Sequence, residues 1–324
     1  MEKPIFILFV FFLISCASDT TEYAANDNID QASMEILDSL ENKLLNYLSD
    51  KQVGQCKAML SSEFINSYQG DINDFLFKTS DLIKDYPTNV LDRFHIISPK
   101  NKLTSAIKSN IPKRNYHLKY SPSNKESYIS LRVLNSVPYQ MMVTTIYSKY
   151  DSGWKVDLLK VKKYAAHKLT ADDLYNSSAT NYKEGKIVNA YNEIFLASKL
   201  YKPSGKLFYY DYADKMQELL GRILKERKDK FIFPIEIQAL SSKPKILNFS
   251  PIVTEDGIFS NISYVSSISI ADTTALRIEN KKIHDLIPTV FEYIKHKDNT
   301  IYYQVMNEIP DGSKAVETFS FKQR

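Results

Sequence analysis

Apolar residues recur at helical spacing through residues 32–86: Ile36, Leu37, Leu40, Leu44, Tyr47 and Leu48, then Val53, Cys56, Met59, Leu60, Phe64 and Ile65, then Ile72, Phe75, Leu76, Leu82 and Ile83. That period predicts three amphipathic helices. Gly70-Asp71 supplies a break and an N-cap for the third, and Pro87 ends it. Beyond Pro87 the period shortens to two, in Tyr116, Leu118 and Tyr120, in Ile129, Leu131 and Val133, and in Trp154, Val156 and Leu158. These predict half-buried antiparallel strands. Residues 139–150 and 154–164 flank Asp151-Ser152-Gly153, a hairpin turn with glycine available for the left-handed position.

Residues 167–229 return to a helical period through Ala190, Ile194 and Ala197, with Gly185 placed for an interhelical turn and Pro203 as a stop. A third helix over residues 207–228 would pack through Ala213, Met216, Leu220 and Leu224. From residue 230 onward, Ile262, Tyr264, Ser266, Ile268 and Ile270 alternate, and a helical run follows through Leu276, Ile283, Leu286, Ile287, Val290 and Ile294. Asp272 is placed to cap that run, and Pro288 to kink or divide it. Strands at residues 300–307 and 315–321 flank the turn Pro310-Asp311-Gly312, so residues 230–324 read as β-β-α-β-β.

The N-terminus carries Lys3 and a ten-residue apolar run, 5–14, ending in Leu13-Ile14-Ser15-Cys16. Ten residues span about 15 Å as a helix, against about 30 Å of hydrocarbon, so residues 1–15 read as a signal peptide and not a membrane span. Leu13-Ile14-Ser15-Cys16 resembles the lipobox of bacterial lipoproteins. The resemblance implies that Cys16 becomes the first mature residue, carries a diacylglycerol and is acylated on its amine. Each buried methylene contributes about 0.8 kcal/mol, and two or three chains together hold a protein to a bilayer. By resemblance to enterobacterial sorting rules, Ala17 after that cysteine implies the outer membrane. Residues 17–31 hold Asp19, Glu22, Asp27 and Asp30 without Lys or Arg, and read as a solvated acidic tether.

A chain of 324 residues that is 44% hydrophobic has material for two or three cores, which excludes disorder and a collagen-like chain. Once Cys16 is set aside, Cys56 stands alone, so no internal disulfide forms; its neighbours Val53, Met59 and Leu60 give it the reading of a small buried hydrophobe. The net charge of +4 is diffuse and dominated by Lys, which argues against nucleic acid. Neither G-x-G-x-x-G nor G-x-x-x-x-G-K-[ST] occurs. Histidines 95, 117, 167, 284 and 296 show no metal-ligand spacing, and no cofactor is expected. Ser105/Lys108, Ser152/Lys155 and Ser242/Lys245 match S-x-x-K no more often than chance supplies, and no G-x-S-x-G elbow accompanies them. Among carboxylates, Glu126 stands in the first unit, Asp92 is placed opposite His95 on its strand, and Glu308 and Asp311 flank a solvated turn. No catalytic residue is assigned.

Helices followed by a strand meander ending in Asp-Ser-Gly-Trp-Lys-Val, residues 151–156, resemble the NTF2-like or cystatin-like α+β fold over residues 32–166. That resemblance implies a sheet wrapped into an open cone, with His95, Tyr128 and Trp154 as the residues placed to line a pocket. Asn181-Tyr182-Lys183-Glu184-Gly185-Lys186 and the small residues after it resemble a single tetratricopeptide hairpin within residues 167–229, read as a bridge between the two α+β units. Tyr209, Tyr210 and Tyr212 form the densest tyrosine group and a candidate interaction surface for protein or glycan. The expectation is an α+β, lipid-anchored envelope protein, non-enzymatic, that binds an envelope protein or a small apolar or glycan ligand. An enzyme using the cone, and a structural subunit of an envelope assembly, are the alternatives.

Overall fold

The computed structural model describes residues 21–98, 104–294 and 300–324. The signal segment, Cys16, residues 17–20 of the tether and His296 lie outside them. The fold is mixed α+β. It opens with β1 (Glu22–Ala25), followed by α1 (Gln31–Ser49), α2 (Val53–Met59), α3 (Ser62–Ser67), α4 (Ile72–Asp85) and β2 (Thr88–Ile97). Two expectations are corrected here. Residues 22–25, read as tether, are a strand zipped antiparallel onto β2, because backbone hydrogen bonds hold a segment that has few large side chains to bury. The helix expected over residues 53–65 is two: Leu60 turns extended, the Ser61 N–H donates to the Val156 carbonyl at 2.9 Å, and the Ser61 hydroxyl caps α3 by accepting from the Phe64 N–H at 3.1 Å. Asp71 caps α4 as expected, accepting from the N–H groups of Asn73 and Asp74.

The strands β3 (Ser105–Lys108), β4 (Tyr116–Tyr120), β5 (Glu126–Leu134), β6 (Tyr139–Tyr150), β7 (Gly153–Ala166) and β8 (Leu169–Thr170) follow. A six-stranded antiparallel sheet has the order β1-β2-β5-β6-β7-β8, and the β6–β7 turn is completed by Gly153 at φ +104°. One face packs beneath α1 to α4, where Leu37, Leu44, Leu48 and Leu76 meet Tyr128, Tyr147 and Val156. The other face, with Phe94, Ile129, Leu131 and Ile146, joins a larger core. Period-two alternation along β5 sends 128 and 134 to one side and 129, 131 and 133 to the other.

Next come α5 (Ala171–Lys183), α6 (Ile187–Leu200), β9 (Phe208–Tyr210) and α7 (Ala213–Lys230). Thr170 and Asp173 form a capping box, and Gly185 at φ +74° makes the α5–α6 turn. The helix expected to start at residue 207 is corrected, since residues 208–210 form a strand that joins β3 and β4 in a three-stranded sheet ordered β3-β4-β9. α7 buries Met216, Leu219 and Ile223, whereas Leu224 is exposed. Both sets share the helical period, and docking on α6 selects the phase.

The chain ends in β10 (Ile235–Glu236), β11 (Lys245–Thr254), β12 (Gly257–Val265), α8 (Thr273–Val290), β13 (Ile301–Met306) and β14 (Phe319–Gln323), a sheet in the order β10-β11-β12-β13-β14. α8 is a crossover that makes β12 and β13 parallel; the other pairs are antiparallel. Asp272 caps α8 by accepting from the Ala275 N–H at 2.9 Å, and Pro288 lies in its last turn without dividing it. β12 stops at Val265, short of Ile268 and Ile270, where the Ser266 hydroxyl accepts from the Ile268 N–H and turns the chain. One buried cluster runs from Phe94 and Ile129 through Ala190 and Ile194 to Phe249, Ile262 and Phe321.

In this last sheet the His284 Nδ1 lies 2.9 Å from the Tyr303 hydroxyl. Burial pushes the His284 imidazole below its ordinary value, and burial likewise raises Tyr303, so a phenol O–H donates to a neutral ring. On acidification the unfolded chain therefore takes up a proton before the folded one. Stability is full above the ordinary histidine value of about 6.5 and falls as pH drops below it. His284→Gln is expected to flatten that fall, measured as the difference in melting temperature between about pH 7.5 and about pH 5.5. Identical differences in the variant and the parent would refute it.

Candidate functional site

β2, β5 and β7 bring His95, Tyr128 and Trp154 together. His95 pairs across from Tyr128 on β5, and Trp154 begins the inward alternation that continues in Val156. Their rings form a row, with centroids 4.6 Å apart between His95 and Tyr128 and 4.7 Å between Tyr128 and Trp154. Tyr128 is fully buried, His95 is buried and Trp154 half-buried. At the outer edge Glu126 binds both the His95 Nε2, at 3.3 Å, and the Lys149 Nζ, at 2.7 Å, while Lys149 lies over the Trp154 ring. Hydrogen bonds to Glu126 raise Lys149. Asp30, the N-cap of α1, is held below the usual carboxylate range by the Ser33 backbone and hydroxyl, with His95 contributing.

This row is packed. Burial pushes the Tyr128 phenol up, so it stays protonated and cannot serve as a base near neutral pH. The space between helices and sheet that the cone would leave open holds Leu37, Leu44, Leu48 and Tyr147, all buried to 1% exposure or less. Among the described residues, surface clefts of about 480, 430 and 320 Å³ open elsewhere, and these are not lined by His95, Tyr128 or Trp154. The row thus supplies cross-strand stacking of the kind that fixes register. Among the described residues no group of three or more His, Cys, Asp or Glu side chains is placed to hold a metal ion.

The tyrosine surface is smaller than the sequence implied. Tyr210 is buried, and Tyr212 is half-buried and stacks on Tyr210 and Tyr175 with centroids 5.2 and 4.8 Å apart. Alternation along β9 sends Tyr209 the other way, where it stacks on His117 and lies beneath the Lys119 ammonium, 4.4 Å from its ring centroid. His117 in turn binds Asp211 at 2.7 Å. Of the three tyrosines, Tyr209 is the one on an outward polar patch.

Polar side chains form two interior knots, one around Glu41 and one around Asp92. Glu41 on α1 receives Arg93 from β2 and Arg132 from β5, the latter at 2.7 Å, and is 2% exposed. On the other face of β2, fully buried Asp92 accepts from Asn26 at 2.7 Å, from Ser109 at 2.5 Å and from the Tyr116 hydroxyl, with Arg114 at 3.7 Å. Asp92 and His95 do point to opposite faces, as their spacing predicts. Cys56 is buried, and burial pushes its thiol up to about 11, which fits the packing role. Comparison with known proteins adds nothing to this picture: no family model matches the chain, and neither a curated protein nor a solved structure does.

Proposed function

We propose that the chain is a lipid-anchored protein of the cell envelope that acts by binding rather than by catalysis. The observation that carries this reading is Leu13-Ile14-Ser15-Cys16 at the end of an apolar run too short to span a bilayer. β1 begins at Glu22, so only residues 17–21 separate Cys16 from the fold. Six residue steps reach about 20 Å at full extension, which would keep the β1 edge of the sheet close to the lipid surface. No helix among the described residues is long and apolar enough to cross a membrane. Acyl chains on Cys16 would then be the attachment, and Ala17 favours the outer membrane.

The binding half of the reading is supported by the outward patch of Tyr209, His117 and Lys119. That patch suits an envelope protein or a glycan. Metabolic labelling with palmitate tests the anchor. The parent chain is expected to take up label and sediment with membranes, and Cys16→Ala to lose the label and remain an uncleaved precursor. Label retained by the variant would overturn the anchor. Blank pull-downs from solubilised envelopes, together with unchanged melting in the presence of glycans and apolar ligands, would overturn the binding role.

A further inference from the structure

A cleft of about 480 Å³ lies between one face of α8 and the segment of residues 239–242 that leads into β11. Ala275, Ile278, Glu279 and Lys282 are spaced at helical intervals along that face, and Leu240 and Ile268 close the other side. Glu279 is 4% exposed, yet no hydrogen-bond donor reaches either of its carboxylate oxygens. Its neighbour Asn280 is wholly buried, with its side chain beside the Tyr264 hydroxyl. Buried carboxylates are rarely left this way, because a charge taken out of water needs donors to replace it. The opposite arrangement holds at Glu41, whose carboxylate meets two arginines. Glu279 thus lines the cleft together with Leu240, Ile268 and Ile278 and with Ser241, Ser242 and Lys282.

We propose that this cleft binds a small amphiphilic primary amine, with Glu279 receiving the ammonium group and Leu240, Ile268 and Ile278 covering the alkyl part. An ammonium carries three donors, enough for both carboxylate oxygens and a serine hydroxyl. A divalent cation wants six or more oxygen ligands, and the described residues hold no cluster that could supply them. An anion would meet the carboxylate itself. Ile278 is 58% exposed at the mouth, an apolar side chain that an alkyl group would cover. Lys282 is exposed at the rim, so an amine that also bears a carboxylate gains a second contact there. The site stands independently of Cys16 acylation, and its failure would leave the anchor untouched.

Calorimetric titration of the purified chain with isoamylamine, L-leucine and 4-methylpentanoate tests it, because the three share an alkyl group and differ in their charged ends. Both amines are expected to bind, leucine more tightly, and 4-methylpentanoate not to bind. Glu279→Gln is expected to weaken both amines about tenfold or more, with melting at or above that of the parent. Ile278→Lys, a change at an exposed position that leaves the buried carboxylate in place, is expected to weaken them several-fold. The proposal is overturned if 4-methylpentanoate binds as tightly as isoamylamine, if Glu279→Gln binds both amines as the parent does, or if neither amine binds the parent at about 10 mM, the weak end of measurable affinity.

Discussion

Replacing Glu41 with alanine is expected to lower folding stability by about 3–5 kcal/mol, read as a fall in the urea midpoint at unchanged slope. Glu41 sits on the buried stripe of α1 between Leu37 and Leu44. Its carboxylate is the anion shared by Arg93 and Arg132, whose side chains are 15% and 16% exposed. Burial alone would disfavour the Arg93 charge, but hydrogen bonds and attraction from Glu41, with Asp38 at 2.8 Å, more than restore it. Removing Glu41 leaves two guanidinium groups facing each other beneath the helix, with only half-exposed Asp38 to answer one of them. The cost arises from those stranded charges and not from a large gain in the intact triad, so a combined Glu41→Leu, Arg93→Met, Arg132→Leu chain should return to parental stability or exceed it. A Glu41→Ala midpoint equivalent to less than about 0.5 kcal/mol would show that the triad does not hold α1 to the sheet.

What was legible along the chain is what local periodicity and caps encode. Leu37, Leu44 and Leu48 announce α1, Asp71 and Asp272 begin their helices, Gly153 and Gly185 take the left-handed turns, and β11 to β14 around α8 follow the predicted order. What was illegible depends on partners far apart in sequence. Asp92 meets Asn26, Ser109 and Tyr116, separated from it by 66, 17 and 24 residues, and no spacing rule joins them. Three residues of β9 carry too little pattern to distinguish a strand from a helix start, and their pairing with β4 decides it. The phase of α7 is set by α6 in the same way. One signal was present and went unread: Glu41, Glu279 and Asn280 stand at core positions of amphipathic helices, among Leu44, Leu276 and Ile283. A polar residue at a core position marks an interior ion pair or a site, and at Glu41 it marks the ion pairs with Arg93 and Arg132. His95, Tyr128 and Trp154 come together because all three sit in phase on strands of one sheet, β2, β5 and β7. That they would be packed rather than open depended on how deeply α1 and α4 settle, which their own residues do not encode.

Phe249→Ala is expected to cost about 3–5 kcal/mol, and the loss should be visible at the other end of the molecule. Phe249 is wholly buried on β11, and its ring centroid lies 5.2 Å from that of Phe291, 5.3 Å from Tyr191 and 5.5 Å from Phe231, with the Arg227 guanidinium 4.7 Å away. These neighbours come from α6, from α7 and the residue after it, and from the end of α8, so the ring joins the helical hairpin to the last sheet. α6 and the outer face of the six-stranded sheet belong to the same buried cluster. If that continuity makes the chain one cooperative unit, weakening the cluster at Phe249 must also weaken the first sheet. Trp154, the chain's single tryptophan, reports on that sheet from its opposite face. In urea, Trp154 fluorescence and far-UV circular dichroism should therefore show coincident transitions in the parent, and both should move down together in Phe249→Ala. Phe249→Leu, which refills part of the space, should recover part of the loss. A Trp154 midpoint that stays in place while the circular dichroism transition shifts or splits would show instead that the first sheet unfolds on its own, and that the shared cluster is a docking surface between independently stable parts.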